Sequence, residues 1–175
     1  NPARADAAEA AAFYRASGFE VVILSDALPD RAEASDVEVS LQAAFGIVPE
    51  AVAFMDTSAN IVQANRELLD AVVGVLTETG HGLVAYPRGL NAAEQTATRA
   101  SVPAGTLFRE LDQEQERATV ITRYLDRAAF AAVQDGTVIV VGHTYPETVT
   151  ALFSWALGDR SESVAMAPLS AVLLR

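Results

Sequence analysis

Few groups in this chain can do chemistry, and His143 stands out among them. It lies in Val140-Val141-Gly142-His143-Thr144-Tyr145-Pro146-Glu147-Thr148, just after an apolar β-branched run and a glycine. A histidine placed there can ligate a metal, act as general acid or base, or hydrogen-bond a ligand. It can equally cap the helix that follows or satisfy a backbone group. Asp56 and Asp26 also follow apolar runs. Such a carboxylate pair could do acid–base work or hold a cation. Asp before Thr or Ala is also a common turn or cap residue. Arg88 and Arg109 could hold a carboxylate or sugar hydroxyls, or pair with nearby acids. With Asp26 and Tyr145 they form the set of candidate substrate contacts. His81, in Thr79-Gly80-His81-Gly82, precedes an apolar run and reads as a turn residue.

Other chemistries drop out. There is no Cys, so disulfides, thiol catalysis and Cys-type zinc sites are excluded. Two histidines cannot build a His-rich zinc centre with its three protein ligands. No Gly-rich phosphate loop and no Gly-x-Ser-x-Gly nucleophile elbow occurs. The net charge is −11, and every basic residue is Arg. An acidic surface repels phosphate backbones and anionic lipid, which argues against nucleic acid and peripheral membrane partners. No apolar run is long enough to span a bilayer.

The elements that must position these groups alternate between two periods. An Ala-rich helix is expected over 4–16, closed by Gly18. Phe19–Leu24 reads as a buried strand, and Asp26–Arg31 as a loop. Ser35 with Glu38 forms a capping-box pattern for a helix to about Phe45. Strands are expected at Ala51–Met55, Gly82–Ala85, Thr106–Phe108, Thr137–Val141 and Ser163–Ala167. Between them lie helices over 63–79, 91–99, 114–134 and 145–157, the last with Pro146 in its first turn. Six strands alternating with helices imply a parallel α/β sheet of right-handed βαβ units. At 51% hydrophobic and 20% charged, the 175 residues suit one globular domain. Chemistry in such folds sits in loops leaving the C-terminal ends of strands. Those loops also hold Ser25, Thr57, Ser58, Tyr86, Glu110, Asp112, Thr144 and Ser170.

The strongest motif, Val140 to Leu152, resembles the divergent polysaccharide deacetylases, a family of NodB-like (β/α) barrels. That family has a strand ending in Gly-His-Pro and then a Pro-Glu-Thr helix start; Gly142, His143, Pro146, Glu147 and Thr148 match in order. Ala167-Pro168-Leu169-Ser170 resembles its closing Val-Pro-x-Ser. Val102-Pro103 through Leu111-Asp112 resembles its Gly-Val-Pro…Phe-Leu-Asp segment. Gly18-Phe19-Glu20-Val21 stands where the family reads Gly-His-Glu-Val. The family's Asn-His-Met-Gly-Ser is Met55-Asp56-Thr57-Ser58-Ala59, and its Asp-Ser-Arg-Thr loop is Tyr86-Pro87-Arg88-Gly89-Leu90. A ligand-type His and an Asp are thereby lost.

The resemblance implies a barrel-like fold over 1–175 whose first strands, with the family's Asp-Asp pair, lie before Asn1. It implies hydrolysis of acetyl groups on an envelope polysaccharide, a divalent metal such as zinc, and an exported or periplasmic protein. His143 carries over as the site residue, and Asp56 is the carboxylate that could replace a lost ligand. With so much of the metal signature missing, the alternative is a non-catalytic module binding glycan or protein on the same fold. The open edge before Phe19–Leu24 is expected to be covered by the N-terminal segment of the same protein or by a partner copy.

Overall fold

The computed structural model describes residues 1–29 and 31–174. In chain order the helices and strands are α1 (Ala7–Ala16), β1 (Val21–Leu24), α2 (Ala34–Ile47), β2 (Ala51–Met55), α3 (Arg66–Thr79), β3 (Gly82–Ala85), α4 (Ala92–Arg99), β4 (Ala104–Glu110), α5 (Ala118–Asp135), β5 (Ile139–Val141), α6 (Pro146–Ala156) and α7 (Leu169–Leu173). They form two compact units. One takes in Asn1–Thr106 and the chain from Pro168 onward; the other is Leu107–Ala167.

Every strand pairs in parallel with the next in sequence. In the first unit Leu24 faces Met55, Met55 faces Val84, and Ala85 faces Thr106. In the second, Leu107 faces Ile139 and Glu110 faces Val141. A helix fills each crossover between consecutive strands. This sequential winding belongs to the barrel-type α/β class expected from the sequence; a doubly wound sheet reverses its strand order.

In the first unit the core is built from Val37 and Leu41 of α2, Phe54 of β2, Val72 and Leu76 of α3, and Leu83 of β3. All four residues of β3 are buried, which suits its unbroken small-and-apolar sequence. Gly82 opens β3 because a Cβ there would lie 2.6 Å from Leu173 Cδ1 and 3.1 Å from the Pro103 carbonyl. The C-terminal helix α7 therefore packs against bare backbone. Glu20 holds the other end of this contact: its carboxylate accepts the Ser170 amide at 2.8 Å and also the Ser170 hydroxyl. In the second unit Ile121, Leu125 and Ala129 of α5 pack on Ala151 and Trp155 of α6. The Trp155 indole N–H finds Asp126 Oδ1 at 3.0 Å, so its polar edge is satisfied.

Several expectations are corrected. The described residues hold five strands, and Ser163–Ala167 is not one of them. Ser161 and Ser163 hydroxyls turn back onto the Gly158 and Arg160 carbonyls, which stabilises a 3-10 turn over Asp159–Ser163. One β-branched residue, Val164, is too little to override that. Ser170 consequently sits beside Glu20, ahead of β1, and not in a loop following a strand. The helix expected from Ser35 starts at Ala34, with the Asp36 carboxylate accepting the Glu33 amide at 2.9 Å. The helix expected from Gln63 starts at Arg66, because Asn65 takes the cap and accepts from the Glu67 and Leu68 amides. The helix expected from Glu114 starts at Ala118.

His81 does more than turn the chain. Its ring stacks on Phe45 of α2, with centroids 3.7 Å apart and planes 17° apart, and its Nδ1 is buried without a partner. Burial pushes its pKa below the ordinary value of 6.5, against a smaller opposing effect from a hydrogen bond with the Ala51 backbone. A histidine depressed in the folded state binds fewer protons than in the unfolded state, so stability rises with pH through that window. Acidification below about pH 6.5 should therefore destabilise the chain through this residue. In His81→Phe, which keeps the stack and removes the titration, urea denaturation between pH 5 and 7 should show a flatter stability profile.

Candidate acid–base site

The ladder between β4 and β5 continues one step past Glu110, where the Leu111 amide donates to the Val141 carbonyl at 2.8 Å. That register turns the next side chain, Asp112, inward, and it is fully buried. A buried carboxylate is costly unless hydrogen bonds satisfy it. Here three donors come from one short stretch of chain. The His143 amide reaches Oδ2 at 2.7 Å, the Thr148 hydroxyl reaches Oδ2 at 2.5 Å, and His143 Nδ1 lies 2.9 Å from Oδ1. Burial favours the neutral acid, but the donors outweigh it and hold the Asp112 pKa below its ordinary value. The carboxylate is thus an acceptor only, so Nδ1 of His143 must carry the proton it shares.

That fixes the histidine. Its Nδ1 faces Asp112, with Glu110 Oε1 3.9 Å away, while half of the side chain (53%) is open to solvent. With Nδ1 protonated, Nε2 holds the free lone pair. The Tyr145 ring lies alongside at 5.1 Å, planes 27° apart. An imidazole fixed in tautomer by a buried carboxylate, with its other nitrogen free, is the arrangement that moves protons in general acid–base catalysis.

The second unit thus brings two of the sequence candidates, His143 and Tyr145, together with Glu110, Asp112 and Thr148. Arg109, also in this unit, sits with its guanidinium 3.9 Å above the Tyr124 ring, a cation–π contact. The other candidates belong to the first unit. Asp56 follows β2 and is 1% exposed; Oδ1 accepts the Thr57 amide at 2.9 Å and Oδ2 the Gln63 amide at 3.0 Å. Gln63 in turn exchanges two hydrogen bonds with the Tyr86 backbone, at 2.8 and 2.7 Å. Ser25 accepts the Thr57 amide at 3.1 Å. Side-chain bonds therefore stitch together the loops after β1, β2 and β3. Asp26 is exposed and accepts from the Asn1 amide nitrogen at 3.0 Å, and Arg88 is exposed in the loop after β3.

Glu110, Asp112 and His143 were visible in the sequence only as separate polar residues of two loops. Their side-chain ligand atoms lie within 4.8 Å of one another, a grouping that could hold a metal ion. Two carboxylates and one imidazole are suitable zinc donors. The hydrogen bonds do not fit that use: both Asp112 oxygens serve protein donors, and Nδ1 carries the proton that bonds Oδ1. A cation shared by these three would have to break the contact that orients the histidine.

The model of the divergent polysaccharide deacetylase family matches residues 1–173. No curated protein matches the chain. A solved structure, that of an uncharacterized protein from Agrobacterium tumefaciens, superposes with a TM-score of 0.76 at 19% identity. The match covers 90% of this chain and 70% of that one, and at this identity it speaks for the fold alone.

Asp112 also predicts a pH dependence of stability. Its folded pKa lies below the unfolded one, so its contribution is complete above about pH 4 and is lost as pH falls through the folded value. Asp112→Asn should cost about 2–4 kcal/mol at pH 7, because it replaces the charged acceptor and leaves one buried donor facing an amide N–H. The acid limb of its stability curve, measured by urea denaturation from pH 5 downward, should be shallower than in the parent.

Proposed function

We propose, because the chain belongs to the divergent polysaccharide deacetylase family, that it hydrolyses acetyl groups on a polysaccharide with His143 as the proton-transfer group. The observation that carries the reading is the buried Asp112 carboxylate on Nδ1, which leaves Nε2 free on a half-exposed ring. Nε2 takes a proton from water as the water oxygen attacks the acetyl carbonyl. Asp112 stabilises the imidazolium formed. The Nε2 proton then passes to the sugar oxygen or nitrogen as the acyl bond breaks, giving acetate and a free hydroxyl or amine. Tyr145, beside the ring, contacts the sugar, with Arg109 of the same unit a further proposed contact; Arg88 and Asp26 are proposed sugar contacts of the first unit taken by itself. In this reading Asp56 shapes the loops after β2 and β3, so no step is routed through it. A divalent metal enters no step either, since the hydrogen bonds that Asp112 accepts from His143 and Thr148 oppose it.

The family match spans both units, which supports treating 1–173 as one functional domain. Among the described residues β1 pairs only with β2. A groove of about 410 Å³ runs along it, lined by Ala7, Ala10 and Tyr14 of α1 and by Val21 and Val22. These features support a further strand adding there, from an N-terminal segment or a partner copy. No helix among the described residues is long and apolar enough to cross a membrane; export to the periplasm follows from the polysaccharide substrate and is part of the proposal.

A second reading, a glycan-binding module without catalysis, is favoured by Asp56, whose oxygens are both spent on its own loop. Acetate release from N-acetylated and O-acetylated oligosaccharides, followed by proton NMR, separates the two. The parent should release acetate. His143→Ala should be slower by about 100-fold or more, with KM little changed. An inactive parent whose His143 and Tyr145 resonances still shift on adding oligosaccharide would replace the first reading by the second.

A further inference from the structure

The acid–base reading leaves open what keeps Asp112 in the one state that can orient His143. Asp112 Oδ2 receives two donors, and they differ in kind. The His143 amide is part of the group being oriented, whereas the Thr148 hydroxyl comes from α6 and is independent of it. Thr148 is 1% exposed and occupies the third position of α6, two residues after the Pro146 that starts the helix. At that position the hydroxyl need not turn back on its own helix, and it reaches across to the end of β4 instead. The approach is tight. A Cβ on Gly142 would lie 3.1 Å from the Thr148 methyl and 3.4 Å from Asp112 Oδ2, so the glycine leaves room for both.

We infer that Thr148 is a positioning residue for His143: by donating to Asp112 Oδ2 it directs the free oxygen, Oδ1, to Nδ1 and so fixes the tautomer that leaves Nε2 unprotonated. This rests on the acid–base reading of the site and adds to it a residue that touches neither water nor sugar. Without the hydroxyl, the His143 amide alone holds Oδ2. The carboxylate can then rotate about its Cβ–Cγ bond, and the Nδ1–H···Oδ1 bond has no fixed partner. The ring then exchanges tautomers like a surface histidine.

Two variants test this in the full chain. Thr148→Val has nearly the same shape but no hydroxyl, and Thr148→Ser keeps the hydroxyl and loses the methyl. Long-range nitrogen–proton NMR at pH 8 reads the tautomer of His143 directly, whether or not acetate is released. The parent and Thr148→Ser should show Nδ1 protonated and Nε2 bare, and Thr148→Val should show averaged nitrogen shifts. On an acetylated oligosaccharide, Thr148→Val should lower kcat about 10-fold or more with KM unchanged, and Thr148→Ser should restore it. A folded Thr148→Val that keeps the single Nδ1–H tautomer would overturn the inference and leave Thr148 as packing only. Should Thr148→Val not fold, Thr148→Ala, which crowds nothing, gives the same reading. A parent that releases no acetate but shows the expected tautomers refutes the hydrolysis and leaves the positioning role standing.

Discussion

The second unit depends on one requirement: a carboxylate without solvent contact must have its donors supplied by the protein. Asp112 is delivered by β4, and everything around it reads as an answer to that requirement. β5 ends in register, so the next peptide can aim an N–H at Oδ2. Gly142 keeps the approach free of a Cβ. Pro146 starts α6 early enough to bring Thr148 within 2.5 Å. Removing the charge's partners would leave several kcal/mol of uncompensated desolvation, a large part of what holds a small domain together. The loop between β5 and α6 is therefore as constrained as the core, although most of its surface is open.

Asp56 shows why position at a strand end does not by itself make a catalytic carboxylate. It follows β2 as Asp112 follows β4, and it is equally buried. Its donors, however, are amides of its own loop, Thr57 and Gln63. The energy of those bonds goes into the loop, and through Gln63 into the backbone at Tyr86. Asp112 instead spends its bonds on a side chain that still has a free nitrogen. The difference lies in where the donors come from, which burial and residue type do not reveal.

The same distinction explains what could be read from the sequence. Alternating periods and β-branched runs located β1 through β5 within a few residues, but the burial expected of Phe19–Leu24 is not met: Phe19 and Leu24 are exposed and β5 is half-buried, while burial on both faces holds for β3. The strand expected at Ser163–Ala167 was misread since serine hydroxyls bonding nearby carbonyls leave no trace in an apolar pattern. His143 could be singled out from a strand, a glycine and a helix start. Its partner could not: Asp112 is 31 residues away, in a stretch with Glu110, Glu114 and Glu116, and nothing local ranks one acid above the others. Only the parallel pairing of β4 with β5 selects it. The Leu111-Asp112 part of the family pattern was the available signal, and Thr148 was visible only as the last letter of a motif.

The charge around the histidine also bears on what can approach it. Glu110 and Asp112 both lie on the Nδ1 side, one at 3.9 Å and one at 2.9 Å, while the nearest arginine on β4 is engaged with Tyr124. With the ring neutral the local charge is negative, and it sits in a chain of net charge −11. An anionic sugar would be repelled both at a distance and in the site. A neutral acetylated sugar, the proposed substrate, would meet no such barrier, and an imidazolium formed in the proposed reaction would be stabilised by the same two carboxylates. The same acidity that argues against nucleic acid partners would therefore favour positive charge on His143 in the proposed proton transfer, and disfavour negative charge on whatever binds beside it.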